Sequence, residues 1–199
     1  MRNRSWLPTI VLVFTLGLTL TACGSDGPAT DARAGGAATS APSTSSSKTG
    51  FNDTDVRFTQ KMLPHHMQAA RNAEIEIAMG ADPEVKAIAQ KILDTQTREI
   101  EQMQGFLKKF GAPELPAPAD QQAVWDKNTA DLRAAATPAA RDVVFLTNMV
   151  PHHAAAVPMT QNEIDLGTFP EAITLAEQIK KTQRMEIMQM NMLIRTRAA

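Results

Sequence analysis

From residue 51 onward the apolar positions recur with a helical period, and no stretch shows convincing strand alternation. Over 83–110, Ile88, Ile92, Ile100, Met103 and Leu107 form one stripe. Gly80 follows the preceding periodic run, and Asp82-Pro83 opens the next, the usual punctuation of a helix stop and start. The pattern predicts helices over about 53–79 and 83–110. It returns over about 138–166 and 170–195. The Pro-rich segment 111–119 ends the first pair, and residues 121–135 read as a short amphipathic helix with Trp125 and Leu132 facing the core.

The two pairs are copies of each other. A shift of 87 residues lays Asp55 and Val56 on Asp142 and Val143, and Phe58 and Met62 on Phe145 and Met149. It lays Pro64-His65-His66 on Pro151-His152-His153 without a gap. The match continues through Glu76/Glu163, Gly80/Gly167, Gln96/Gln183, Glu99/Glu186 and Met103/Met190. Repeats of about 53–110 and 138–195 therefore share one design. Each helix hairpin alone has an unburied apolar face, so the pattern predicts an all-α four-helix bundle. It joins two duplicated hairpins by a long central connection, packed about a pseudo-twofold axis.

The N-terminal fifty residues read differently. Arg2 and Arg4 precede an almost wholly apolar run from Trp6 to Leu20, and Leu20-Thr21-Ala22-Cys23 follows. This is the layout of a secretory signal, and its ending is similar to a bacterial lipoprotein signal in which Cys23 is lipidated. The apolar run is about 15 residues, short of the roughly 20 that span a bilayer. Residues 1–22 are thus expected to be a signal peptide. Residues 23–50, rich in Gly, Ala, Ser, Thr and Pro, are expected to be a flexible linker from the lipidated Cys, holding the folded part, 51–199, about 25–30 Å from the membrane. The expected location is the outer face of the cell membrane. Cys23 is the only cysteine, which excludes an intramolecular disulfide. A net charge of −1 gives no reason to expect nucleic acid.

All four histidines sit in the two Met-x-Pro-His-His motifs. Helical spacing lets Met62, His65 and His66 share one face, as Met149, His152 and His153 do. Met159, Met103 and Met190 are further candidate ligands. Thioether and imidazole together favour a soft or borderline ion, Cu(I) first, whereas carboxylate-rich sites suit harder ions. The imidazoles must be neutral to bind, so binding is expected to weaken below about pH 6–6.5. Against this, a Met stripe at helical spacing is ordinarily core packing. Met185, Met188 and Met192 form another stripe on the last helix; packing is the first reading of them, a metal-loading surface or partner patch the second. Pro64 and Pro151 either kink a longer helix or start it.

The two Asp-x-x-Phe-x-x-x-Met-x-Pro-His-His blocks, Asp55 to His66 and Asp142 to His153, resemble the domain-of-unknown-function 305 family, as do the Gln-x-x-Glu-Ile-x-x-Met blocks at Gln96 and Gln183. The resemblance implies a ferritin-like four-helix fold, an exported location and, in some members, copper binding. It carries His65, His66, His152, His153, Met62 and Met149 over as the ligand set. Where members often place a Met six residues after the second His, this chain has Met159 in the second copy and Asn72 in the first. The function read from the sequence is a membrane-anchored, non-enzymatic Cu(I)-binding protein for storage, buffering or delivery, with an envelope copper protein as a possible partner. A non-metal helical envelope interaction protein is the alternative. A ferritin-like di-iron oxidase is the lesser one, because Met62 and Met149 stand where its Glu-x-x-His motif needs carboxylates.

Overall fold

The structure is a computed structural model and describes residues 50–198; the expected signal segment, Cys23 and the linker to residue 49 lie outside the described residues. Five helices follow one another: α1 Asp53–Met79, α2 Pro83–Phe110, α3 Ala119–Ala134, α4 Pro138–Leu166 and α5 Pro170–Ala198. There is no strand among the described residues. None of these helices is long and apolar enough to cross a membrane.

Helix ends fall where side chains satisfy the free backbone groups. Asn52 accepts from Thr54 N and Asp55 N, while the Asp55 carboxylate accepts from Asn52 N in return. Asp82 caps α2 ahead of Pro83, and Thr137 caps α4 ahead of Pro138. Gly111 ends α2 with φ +66°, a left-handed conformation that glycine adopts without strain. Pro64 and Pro151 lie inside α1 and α4, so the helices do not begin there. Each proline withholds the N–H that the carbonyl one turn earlier would otherwise receive.

Helix α1 packs on α2, α4 on α5, α1 on α4, and α2 on α5, which closes a four-helix bundle. Helix α3 lies across α1 and α4. The buried Arg141 fastens its C-terminal end, donating to the carbonyls of Leu132 and Ala135 and to that of Met79 at the end of α1. A cation suits these unsatisfied helix C-termini. Thr129 of α3 donates to Asn72 Oδ1 at 2.8 Å. That contact accounts for Asn72 where the second copy has Met159: this position in the first copy docks the bridging helix.

Two apolar clusters fill the bundle. One holds Ala69, Ala73, Val85, Ile88, Ile92, Phe145, Leu146, Met149, Met190 and Leu193. The other holds Phe58, Met62, Leu63, Met103, Leu107, Ala156, Leu175 and Ile179. Along every long helix the two sets are separated by buried polar residues: His65-His66 on α1, Gln96 and Glu99 on α2, His152-His153 on α4, Gln183 and Glu186 on α5. A polar layer thus crosses the middle of an otherwise apolar core.

The repeats hold each other's turns. Asp55 of the first copy accepts from Thr168 N and Phe169 N at 3.0 Å, in the α4–α5 turn. Asp142 of the second accepts from Ala81 N at 2.8 Å and Asp82 N at 3.0 Å, in the α1–α2 turn. Buried Glu163 and Glu76 complete the two clamps. Gly80 and Gly167 have ordinary negative φ, −70° and −68°, and are needed for space. A Cβ at Gly80 would overlap the Glu76 carboxyl; one at Gly167 would lie 2.6 Å from Glu163 Oε1. Gly80→Ala or Gly167→Ala is expected to cost about 2 kcal/mol, read as a lowered urea midpoint with unchanged m. A wild-type midpoint would show that the clamp yields freely.

Candidate metal centre

Helix α1 and helix α4 bring His65 and His152 face to face at the centre of the polar layer. Their ring centroids are 3.7 Å apart and their planes 30° apart. His65 Nε2 donates to the His152 carbonyl at 3.1 Å. His66 Nε2 lies 2.9 Å from Glu99 Oε2, and His153 Nε2 lies 3.0 Å from Glu186 Oε2. A carbonyl or carboxylate can only accept, so these three rings carry a proton on Nε2. In the neutral ring this leaves the lone pair on Nδ1. The Nδ1 atoms of all four histidines are buried without a hydrogen-bond partner, as is His152 Nε2. Gln96 and Gln183 are likewise buried with both side-chain polar atoms unpartnered.

An unpartnered buried polar atom costs about 1–3 kcal/mol, so a layer with this many is not explained by stability. A carboxylate hydrogen-bonded to one imidazole nitrogen, with the other nitrogen bare, is how metal-ligating histidines are oriented. The donor set has the chemistry that a metal ion takes. No group of three or more His, Cys, Asp or Glu among the described residues is arranged to hold one.

Trp125 of α3 covers the stacked pair, 5.8 Å from the His65 ring, edge-on, and 5.9 Å from His152. The tryptophan, 6% exposed, closes the layer on that side. Burial, followed by the repulsion of His66 and His153, holds His65 well below the usual imidazole range. Burial, followed by the other three histidines, does the same for His152. This central pair stays neutral at pH values where free histidine charges, so the weakening expected near pH 6–6.5 moves to lower pH for these two rings.

The methionines divide. Met62 and Met103 belong to the apolar cluster on one side of the layer, and Met149 and Met190 to the cluster on the other. All four are buried. Met159 is only half-buried and lines a surface groove with Thr54, Arg57, Phe58 and Lys61, a groove that none of the four histidines lines. Met185, Met188 and Met192 are exposed, which corrects the first reading of that stripe as packing. The halves also differ in charge. Lys91 Nζ lies 3.8 Å from Glu186 Oε1, whereas the matching position in the second copy is Gln178, so Glu99 lacks an equivalent cation.

The repeat marks Glu99, Glu186, Gln96 and Gln183, yet no role in the site was read for any of them from the sequence. Their signal was present: both occupy the repeated Gln-x-x-Glu block, one helical turn before the buried Met103 or Met190.

A bundle whose two halves each contribute a His-His pair and a Gln/Glu set to one buried layer defines a duplicated four-helix protein with a polar waist. The chain belongs to the DUF305 family, described as a domain of unknown function, whose profile matches residues 55–194. Among solved structures it is similar to a DUF305 fragment from Deinococcus radiodurans, at 30% identity and TM-score 0.66, covering 72% of this chain and 96% of that one. A DUF305 protein from Streptomyces coelicolor, described as a presumed secreted protein, matches at 25% identity and TM-score 0.65, covering 73% and 94%. CopM in its Cu(I)-bound form matches at 30% identity and TM-score 0.62, covering 73% and 98%. CopM is also known in an Ag-bound form. Comparison with curated protein sequences gives no match.

Proposed function

We propose that the protein binds Cu(I) in its central polar layer and serves as a storage, buffering or delivery protein rather than an enzyme. The observation that carries this reading is the set of four buried, unpartnered Nδ1 atoms, three of them on rings whose Nε2 is already committed to an acceptor. With His65, His66, His152 and His153 as nitrogen donors, Met62, Met149, Met103 and Met190 are the nearest class of soft donor on either side along the helices. Neutral nitrogen and sulfur donors match Cu(I) and match hard divalent ions poorly. Likeness to CopM in its Cu(I)- and Ag-bound forms supports the same ion.

The N-terminal signal pattern and Cys23 support export and lipid anchoring at the outer face of the membrane. The resemblance to a presumed secreted family member agrees with export. In that setting the partner class is an envelope copper protein that gives or takes the ion.

The test is a Cu(I) titration of the full chain against a competing chelator. His152→Ala with His153→Ala is expected to weaken binding at least 100-fold, since it removes half of the imidazoles. Unchanged stoichiometry and affinity in that variant would sink the assignment. Absence of metal binding by the unmutated chain at pH 7 would favour a helical interaction protein instead.

A further inference from the structure

The last helix carries three methionines that the fold does not require. Met185, Met188 and Met192 are 43%, 65% and 53% exposed, and steps of three and four residues place them on one face of α5. The duplication provides an internal comparison. Their counterparts 87 residues earlier on α2 are Arg98, Glu101 and Gly105, all exposed. The same surface in the same architecture is thus filled by two charged residues and a glycine. Met190 and its counterpart Met103, by contrast, are both fully buried. Packing explains that pair and leaves the outer three unexplained.

The chemistry of the face is selective. A thioether is a neutral soft donor on a flexible stem, and it needs no deprotonation. Three of them lie along about 10 Å of helix, within reach of a common point above the surface. Glu186 is buried against His153, and the exposed carboxylate on this side of α5, Glu177, lies two turns before Met185. The face's exposed charged neighbours are Lys181, Arg184 and Arg195. Beside the three thioethers a hard divalent cation finds neutral oxygens, such as that of exposed Gln189, and positive charge, a poor site for it. A soft monovalent ion bonds to sulfur, and solvent and salt screen its repulsion from these groups over about 8 Å.

We infer that Met185, Met188 and Met192 form a second, solvent-facing site for a soft monovalent metal ion, Cu(I) or Ag(I), distinct from the polar layer. This site stands on the surface of α5 and does not depend on the layer binding metal.

The test uses the full chain with ¹³C-methyl-labelled methionine and Ag(I) as a redox-inert probe. The methyl resonances of Met185, Met188 and Met192 are expected to shift together, both in the unmutated chain and in His152→Ala/His153→Ala. Met185→Leu with Met188→Leu and Met192→Leu keeps the apolar volume and removes the sulfur. It is expected to bind one equivalent of Ag(I) fewer. Stationary resonances for the three methyls at excess Ag(I), or an unchanged number of equivalents in the leucine variant, would overturn the inference. If these methyls move while His152→Ala/His153→Ala binds as many equivalents of Ag(I) as the unmutated chain, the surface site stands and the reading of the polar layer fails. Three unmoved methyls together with a loss of Ag(I) in His152→Ala/His153→Ala overturn the surface site and leave the layer.

Discussion

Asp55→Ala is expected to lower the unfolding free energy by about 4 kcal/mol and the melting midpoint by about 10 °C. Asp55 is fully buried, and its carboxylate accepts from Asn52 N at 2.6 Å, from Thr168 N and Phe169 N at 3.0 Å, and from Thr168 Oγ1 at 3.2 Å. Truncation strands three backbone donors and removes the partner of Glu163 in one step. It also opens the capping box that starts α1. Burial by itself would raise this carboxyl. The Glu163 hydrogen bond and the N–H groups of Asn52, Phe169 and Thr168 outweigh it and hold Asp55 below the usual carboxylate range. Asp142→Ala should behave similarly through Ala81 and Asp82. Glu74→Ala, on the exposed side of α1, should stay within about 0.5 kcal/mol. Equal effects of Asp55→Ala and Glu74→Ala in thermal melts would rule out the clamp as a source of stability.

The second large effect is on the pH dependence of the metal-free chain. Burial, then the hydrogen bond to Asp142 and its charge, raises Glu76 to about 8. Burial, then Asp55, raises Glu163 to about 8 in the same way. A carboxyl with a raised folded pKa contributes stability that is whole below about pH 4.5 and is lost as the pH climbs through about 8. His65 and His152 act in the opposite sense. Their depressed values contribute stability present above about pH 6.5 and lost as the pH falls through their folded values. Below about pH 6.5 the two trends oppose each other, so the decline due to the glutamates is offset there. Between about pH 6.5 and 8 only the glutamates act, and a loss of about 2–4 kcal/mol is expected before the curve levels. Glu76→Gln with Glu163→Gln keeps an N–H toward each aspartate and should remove the alkaline decline. Urea unfolding at pH 5.5, 6.5, 8 and 9 measures it; an unaltered decline in the double variant would exclude the two carboxyl pairs as its cause.

Helix existence and the bundle were legible because the apolar period and the Gly, Asp-Pro and Thr-Pro punctuation act locally. The in-register repeat made the His pairs legible as one constellation, and the structure brings His65 to His152 as that symmetry implies. The clamps were not legible, although Asp55/Asp142, Glu76/Glu163 and Gly80/Gly167 all stand out in the repeat. Their contacts run from one copy to the turn of the other, and Asp55 reaches Phe169 across 114 residues. No periodicity encodes such a pairing. The Met185–Met188–Met192 face was misread for a related reason. Its step of three and four is shared by buried and exposed stripes alike, and only the neighbours of α5 decide which it is.

The crossed clamps also bear on how the chain folds. Either hairpin can zip up locally, yet the donors of its turn stay open to water until an aspartate arrives from the opposite half. Each half therefore templates the other, and the 111–118 stretch with α3 acts as a tether that keeps the two at high effective concentration. Severing that tether would turn one cooperative transition into a bimolecular reassociation of complementary fragments, with a midpoint that depends on concentration.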